Sequence, residues 1–284
     1  MPAPVAVVTD STAYLPESLV TRHELTVVPL QVVVGGRSLA EGVEVGSSRI
    51  AAALRAGEPV TTSRPAPAVF AETYRKLHAD GAAGIVSVHL SADLSGTVAA
   101  ARIAAKEVAA EVEVAVVDSR SLGMGLGFAV LAAARAVAGG AGPADAAKAA
   151  ARIGLATGGW LYVDTLEFLR RGGRIGAAAA MLGSALAVKP LLVLADGRLE
   201  PLERVRTASR ALARLEEVVL AAVGESKVDV GVHHLASQSR AEELAERLRE
   251  RVPLLGELIV AEVGAVVGAH VGPGMVGVVV APGA

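Results

Sequence analysis

The 284-residue chain contains no cysteine, and only 2% of its residues are aromatic. Without cysteine the protein has no disulfide bond, no thiolate nucleophile and no metal site with cysteine ligands. Because Val, Leu, Ile and Ala must form the interior almost alone, a cavity would have aliphatic walls, which suit an alkyl chain better than a nucleobase. Charged residues make up 20%, and the formal net charge of -2 gives no electrostatic basis for binding nucleic acid.

The common enzyme signatures are absent as well. The chain has no Walker A lysine loop, no G-x-S-x-G nucleophile elbow and no H-E-x-x-H zinc motif. Residues 123–127 are glycine-rich, but they do not form the G-x-G-x-x-G pattern of a dinucleotide site, so we expect them to serve helix packing. His233 and His234 lack metal-ligand spacing. We therefore expect no metal and no cofactor.

Neither end of the chain predicts insertion into a membrane. The first residues lead directly into an apolar strand that Asp10 interrupts, which is unlike a signal peptide. Residues 263–284 contain no Asp, Glu, Lys or Arg, but glycine and proline break this stretch repeatedly. We expect two buried strands there, around a glycine-rich turn, and we predict a cytoplasmic protein.

The spacing of apolar residues predicts an α/β protein with two domains. In residues 1–158, buried strands alternate with helices and end in polar residues, the pattern of a doubly wound, mostly parallel sheet. In residues 159–284, an Asp-Gly hairpin turn at 196–197 and runs of neighbouring strands predict an α+β, two-layer domain with an antiparallel or mixed sheet. An apolar segment at residues 177–188 precedes that hairpin.

The strand and helix predicted at residues 86–101 form the first candidate binding site. Ser95 or Thr97 can cap this helix, and Gly96 keeps side-chain bulk away from the turn. A helix that begins this way directs free N–H groups and a partial positive charge beyond the sheet edge, which suits an anion. The alternative is an ordinary capped turn without a ligand.

Two further segments carry polar side chains at comparable places. Thr62 and Ser63 precede Pro65 and are expected at another helix N-terminus. If the two strands are neighbours, these hydroxyls converge with Ser95 at the carboxyl edge of the sheet, although capping alone is the alternative. His270 is expected in a tight Gly/Pro turn between apolar strands, either as a structural hydrogen-bonding residue or as a ligand contact.

The densest basic cluster comprises Arg170, Arg171 and Arg174, around Gly172 and Gly173. Such a cluster is typical of a solvated helix end. The two glycines would also suit a docking surface or an anion contact near the domain junction.

Together these segments resemble the DegV family, the bacterial fatty-acid-binding proteins that serve as the FakB subunit of fatty acid kinase. The matches follow the family's order along nearly the whole chain. They are TDST at 9–12, TSRP at 62–65, LSGT at 94–97, VDS at 117–119, LEFLRRGGRI at 166–175, KP at 189–190 with DG at 196–197, and HVGPG at 270–274.

The resemblance implies a non-catalytic protein with an apolar tunnel between its two domains, which holds one long-chain fatty acid. The carboxylate would lie at the tunnel mouth, beside Gly96. By the same resemblance, the hydroxyls of Thr62, Ser63 and Ser95 and the imidazole of His270 would bind it. The fatty acid would be the only ligand, with no cofactor and no metal.

The resemblance also implies a partner, because in the family a separate ATP-dependent subunit phosphorylates the bound carboxylate. A FakA-like fatty acid kinase catalytic subunit is therefore expected, with Arg170, Arg171 and Arg174 as candidates for the surface that faces it. A transient contact with a membrane or an acyltransferase would follow from the same role. Arg64 replaces the family's usual glutamine, and it would either add charge near the carboxylate or point to water.

Two alternatives from other classes stay open. A serine-dependent lipid or acyl-ester hydrolase would use Ser95 and His270, with Asp10, Asp93 or Asp118 as the third member of a triad. A kinase-like protein would use the strand-end carboxylates of Asp10 and Asp118 to hold Mg²⁺ and phosphate.

Overall fold

The computed structural model describes residues 4–181 and 188–283. The centre of the apolar segment predicted at residues 177–188 lies outside the described residues. The chain forms two compact units, each made of two stretches of sequence. The first unit comprises Met1–Gln31 and Ser63–Ala156, and the second comprises Val32–Thr62 and Thr157–Ala284.

The regular elements follow one another in a largely alternating order. The strands are β1 (Val5–Asp10), β2 (Thr26–Val28), β3 (Gln31–Val34), β4 (Arg37–Ala40), β5 (Val60–Ser63), β6 (Gly84–His89), β7 (Glu113–Asp118), β8 (Gly158–Tyr162), β9 (Lys189–Ala195), β10 (Arg198–Val205), β11 (Val228–His234), β12 (Leu255–Glu262) and β13 (Val276–Pro282). The helices are α1 (Glu17–Arg22), α2 (Ser47–Arg55), α3 (Pro67–Ala79), α4 (Thr97–Glu107), α5 (Met124–Ala138), α6 (Pro143–Ala156), α7 (Glu167–Arg171), α8 (Ala208–Val223), α9 (Gln238–Arg251) and α10 (Ala265–Val271).

The first unit contains a parallel sheet in the order β2-β1-β6-β7, with helices on both faces. Every residue of the central strand β6 is buried, and alternate side chains point to opposite faces. Ile85 packs with α3 and α4, whereas a Cβ at Gly84 would meet Pro143 of α6. The predicted doubly wound parallel sheet is therefore confirmed.

The second unit contains a mixed six-stranded sheet in the order β10-β9-β8-β13-β11-β12. The β11–β12 pair is parallel, and the other neighbouring pairs are antiparallel. Apolar side chains of α8 and α9, among them Leu215 and Leu244, cover one face of the sheet. This is the predicted mixed α+β architecture, and Asp196 and Gly197 form the predicted hairpin turn.

The position of residues 32–62 differs from the predicted division at residue 158. This segment, with most of a three-stranded sheet (β4-β3-β5) and all of α2, groups with the second unit, where α2 packs against α10. The sequence predicted neither β4 nor β5. Both have four residues, and their exposed and half-buried positions give no continuous apolar run.

The prediction of two strands around a turn in residues 263–284 is partly wrong. Ala265–Val271 is the helix α10, and only β13 is a strand. The valines of this segment have the β-branched composition of a strand, but the helix is buried on nearly all sides and shows no period of 3.6 residues. In the part of the chain that the structure describes, no helix combines the length and apolar character needed to span a bilayer.

Candidate functional site

The turn between β6 and α4 contains the predicted Ser95 and Gly96. The helix begins at Thr97, with Gly96 at the N-cap position, and the Ser95 and Thr97 hydroxyl oxygens are 2.8 Å apart. The expectation that Ser95 or Thr97 caps the helix is therefore wrong, because the two hydroxyls bond each other. Gly96 has no side chain to satisfy the first N–H groups, so this end keeps the polarity that favours an anion.

Arg64 lies across this turn. A Cβ at position 96 would be 2.7 Å from Nη1 of Arg64 and 2.9 Å from its Cδ. Gly96 thus leaves the space in which the Arg64 side chain runs, as well as leaving the helix start open. The guanidinium of Arg64 is exposed and lies beside the N-terminus of α4, in the same unit as Ser95.

Asp10 is buried beneath the strand ends and holds backbone and side chains together. Its Oδ1 accepts the N–H of Thr12 at 3.0 Å, and its Oδ2 accepts the N–H of Leu90 at 3.0 Å. The ring of His89 lies between Asp10 and Ser87. Its Nδ1 is 3.0 Å from Oδ2 of Asp10, and its Nε2 is 2.8 Å from Oγ of Ser87. Since Asp10 and His89 are both 0% exposed, the Asp10 carboxylate has a structural role.

Thr62 and Ser63 are the last residues of β5. The expectation of a helix N-terminus at this place is wrong, because α3 begins only at Pro67, with Ala66 at the N-cap position. Pro65 and Pro67 disfavour helical backbone at the residues before them, which delays the helix start. Ser63 is exposed and Thr62 is half-buried.

Thr62 and His270 are brought together in the second unit. The hydroxyl oxygen of Thr62 is 2.8 Å from Nε2 of His270, a hydrogen bond between residues 208 positions apart. His270 lies in the last turn of α10 rather than in the predicted Gly/Pro turn, and Gly272, with φ of 75°, follows the helix end. Burial lowers the pKa of His270 to about 4, with a smaller contribution from the positive charge of Arg174. The imidazole is therefore neutral at pH 7.

Gly172, directly after α7, makes room for this imidazole. A Cβ at Gly172 would overlap Nδ1 of His270 and lie 2.7 Å from Cε1. Within the described residues Nδ1 is buried and has no hydrogen-bond partner. Arg174 is held nearby, because its Nη1 donates to the carbonyl oxygen of Gly172 at 2.7 Å. Gly172 is thus part of the His270 environment, a role that the basic pattern alone does not indicate.

The three arginines of the basic cluster have different surroundings. Arg170 and Arg171 are exposed on α7, and both bond Glu167, with distances of 2.7 to 2.8 Å. These hydrogen bonds lower the pKa of Glu167 to about 2. Arg174 is half-buried beside His270. The basic cluster therefore has two parts: Arg170 and Arg171 pair with Glu167 on the surface, and Arg174 lies beside the imidazole of His270.

A polar cavity of about 540 Å³ lies in the second unit, and Pro273 and Gly274, shortly after His270 in the chain, form part of its wall. It is lined by charged and hydroxyl-bearing side chains, among them Arg55, Asp164, Ser237 and Arg240. Such a lining does not suit an alkyl chain. Among residues 4–181 and 188–283, no three His, Asp or Glu side chains are grouped as metal ligands.

Comparison with known proteins identifies close relatives over the whole chain. Residues 4–283 match the family described as "Uncharacterised protein, DegV family". A DegV domain-containing protein of Streptomyces coelicolor is 58% identical over 276 residues, which cover 97% of this chain and 98% of that protein.

Solved structures share this fold. A DegV family protein from Thermus thermophilus, described as fatty acid binding, has a TM-score of 0.92 and 33% identity, covering 98% of this chain and 99% of that one. DegV of Bacillus subtilis, described as a fatty acid binding protein, has a TM-score of 0.89 and 30% identity, with the same coverage.

Proposed function

The chain belongs to the DegV family, and from that premise we propose that it binds one long-chain fatty acid and carries it without catalysing a reaction. The Thermus thermophilus and Bacillus subtilis relatives described as fatty acid binding support this proposal, since each shares the fold over nearly the whole chain. The aliphatic composition of the interior, with 2% aromatic residues, is consistent with an alkyl ligand.

The observation that carries the proposal is the hydrogen bond between Thr62 and His270. A neutral imidazole has one N–H. If that proton is on Nε2, it is donated to Thr62, and the hydroxyl proton of Thr62 is then free for a carboxylate oxygen. If it is on Nδ1, Nε2 accepts the Thr62 hydroxyl proton instead, and the Nδ1–H is buried against the backbone of Gly172. The Nε2–H tautomer is therefore the one that leaves the Thr62 hydroxyl proton to a carboxylate.

The family resemblance adds Ser63, Ser95 and Gly96 as proposed contacts of the carboxylate. Thr97 is fully buried, so when its hydroxyl donates to Ser95 the Ser95 proton remains available to a ligand. Gly96 exposes the N–H groups at the start of α4, which favour an anion. Ser63 contributes an exposed hydroxyl next to Thr62.

We further propose that the bound carboxylate is presented to a separate, FakA-like kinase subunit in the cytoplasm, which forms the acyl phosphate. Arg170, Arg171 and Arg174 are the proposed partner surface. Glu167 balances one charge of the Arg170–Arg171 pair, so a positive charge remains there for an acidic partner. A transient contact with a membrane or an acyltransferase would deliver or receive the ligand.

The hydrolase alternative gains no support from the hydrogen bonds. A serine nucleophile needs a base that receives its proton, but the hydroxyl of Ser95 bonds Thr97 and the imidazole of His270 bonds Thr62. The carboxylate of Asp10, considered for both alternatives, is occupied by buried donors.

Mass spectrometry of an organic extract from the purified protein tests the proposal. We expect one equivalent of a long-chain fatty acid, and T62V is expected to weaken rebinding to delipidated protein at least tenfold, whereas T62S retains most affinity. An empty extract together with no uptake of added fatty acid would contradict the carrier function. Turnover of a long-chain acyl ester that is lost in S95A would establish the hydrolase instead.

A further inference from the structure

The buried carboxylate of Glu41 lies at the start of the helix that carries His270. Glu41 is only 4% exposed, and its Oε1 accepts the backbone N–H of Val266 at 2.7 Å. Val266 is in the first turn of α10, where Gly264, at the N-cap position, has no side chain to accept from the free N–H groups. Both the hydrogen bond and the helix dipole favour a carboxylate at this end.

One segment of the chain holds α10 at both ends. Residues 32–62 supply Glu41 at the first turn, and Thr62 at His270 in the last turn. Between these contacts α2 packs against α10, and Oγ of Ser47 donates at 2.6 Å to Oε2 of Glu262, shortly before the helix begins. Because α10 has only seven residues, a displacement of its N-terminus moves His270 as well.

The burial of Glu41 argues for a specific role. A carboxylate that is withdrawn from water persists only where its partners compensate for the lost hydration. Glu44, three residues further along, is exposed, and its Oε2 accepts the N–H of Ala40 at 2.8 Å. Glu44 thus forms a local turn contact, whereas Glu41 reaches 225 positions along the chain to α10.

We propose that Glu41 is a positioning residue for ligand binding: its carboxylate fixes the start of α10 and thereby holds the imidazole of His270 at the hydroxyl of Thr62. The inference rests on the proposed function, in which these two residues bind the fatty-acid carboxylate. Glu41 itself does not contact the ligand and acts only through His270.

The test compares E41Q with E44Q in delipidated, full-length protein, using palmitate as the probe in isothermal titration calorimetry. E41Q keeps the shape of the side chain but loses its charge, so palmitate affinity is expected to fall about tenfold. E44Q is the matched control and is expected to remain within twofold of the wild type. If E41Q does not fold, E41D keeps the charge but shortens the reach, and it is expected to weaken binding to an intermediate degree.

A double-mutant cycle separates positioning from a general structural effect. In an H270A background, E41Q is expected to change palmitate affinity less than twofold, because the residue through which it acts is gone. An equal loss in both backgrounds, or wild-type affinity of E41Q, would overturn the proposal.

Nuclear magnetic resonance of the histidine ring nitrogens gives a readout that needs no ligand. E41Q is expected to shift the Nε2 resonance of His270, while E44Q leaves it unchanged. If the wild type binds no fatty acid, the proposed function fails, but this resonance still reports whether Glu41 positions His270. An unchanged resonance in E41Q would exclude the positioning role.

Discussion

The imidazole of His270 lies against the backbone of Gly172, so closely that a Cβ at position 172 would overlap Nδ1. The backbone of Gly172 is ordinary right-handed helical, with φ of -75°. Glycine is therefore required here by the space that the ring occupies, and not by the backbone conformation.

This contact predicts different effects for the two neighbouring glycines. G172A is expected to lower fatty-acid affinity at least tenfold, because the methyl group displaces the imidazole from Thr62. G173A is the matched control: Gly173 has φ of 69° and no atom near its Cβ position. The control is expected to lose about 1 kcal/mol of unfolding free energy while keeping its affinity. Calorimetric titration and urea unfolding measure both effects, and equal affinities of the two variants would contradict the prediction.

The rings of His233 and His270 predict a loss of stability in mild acid. Burial lowers the pKa of His233 and of His270 to about 4, whereas an unfolded histidine titrates near 6.5. Between these values the unfolded chain binds more protons, so the stabilisation is complete above pH 6.5 and is lost as the pH falls toward 4.

Each ring is expected to account for a loss of about 1 kcal/mol between pH 7 and pH 5.5. Urea unfolding of fatty-acid-free protein at the two pH values measures this loss. H270Q lacks one of the two rings, so between pH 7 and pH 5.5 its unfolding free energy is expected to fall by about 1 kcal/mol less than that of the wild type. A wild-type unfolding free energy that is constant down to pH 5.5 would show that the rings titrate normally.

The sequence predicted the larger elements and the sheet types because long, buried strands and their connecting helices give clear periodic signals. β6 and α4 are examples, and so is the hairpin turn at Asp196 and Gly197. The family resemblance is confirmed, since residues 4–283 match the DegV family. The roles of the proposed site residues stay predictions.

The sequence did not predict the contacts that assemble the second unit. β4 and β5 are short and half-exposed, so their sequences carry no clear strand pattern. They become strands through pairing with segments that the sequence does not identify. Glu41 and His270 are separated by more than 200 residues, and no local pattern marks a buried carboxylate at the start of a valine-rich helix. The sequence motif contains Gly172, but only the structure shows that the imidazole of His270 fills the space beside it.

The buried hydrogen bonds of the Asp10 carboxylate predict that its removal lowers stability. This effect distinguishes a structural role of Asp10 from a role in ligand binding. D10N replaces one buried oxygen by an amide that cannot accept from both Thr12 and Leu90. The loss is expected to be about 3 kcal/mol of unfolding free energy, as for other buried, hydrogen-bonded charges. D145N, at an exposed pair with Lys148, is expected to leave the unfolding free energy close to that of the wild type. A stable D10N protein that fails to bind its ligand would instead assign Asp10 a direct role.

The contact between Arg64 and Gly96 predicts how an arginine at position 64 affects ligand binding. Gly96 has φ of -73°, so alanine fits the backbone, but its methyl group would force the flexible Arg64 side chain to move. If the guanidinium supports the carboxylate, G96A and R64A should each weaken fatty-acid binding about threefold, the value of an exposed charge contact. The double variant should bind the fatty acid no more weakly than R64A alone, because the methyl group at position 96 then has no arginine side chain to displace. Wild-type affinity of R64A together with weak binding by G96A would show that the methyl group obstructs the ligand directly.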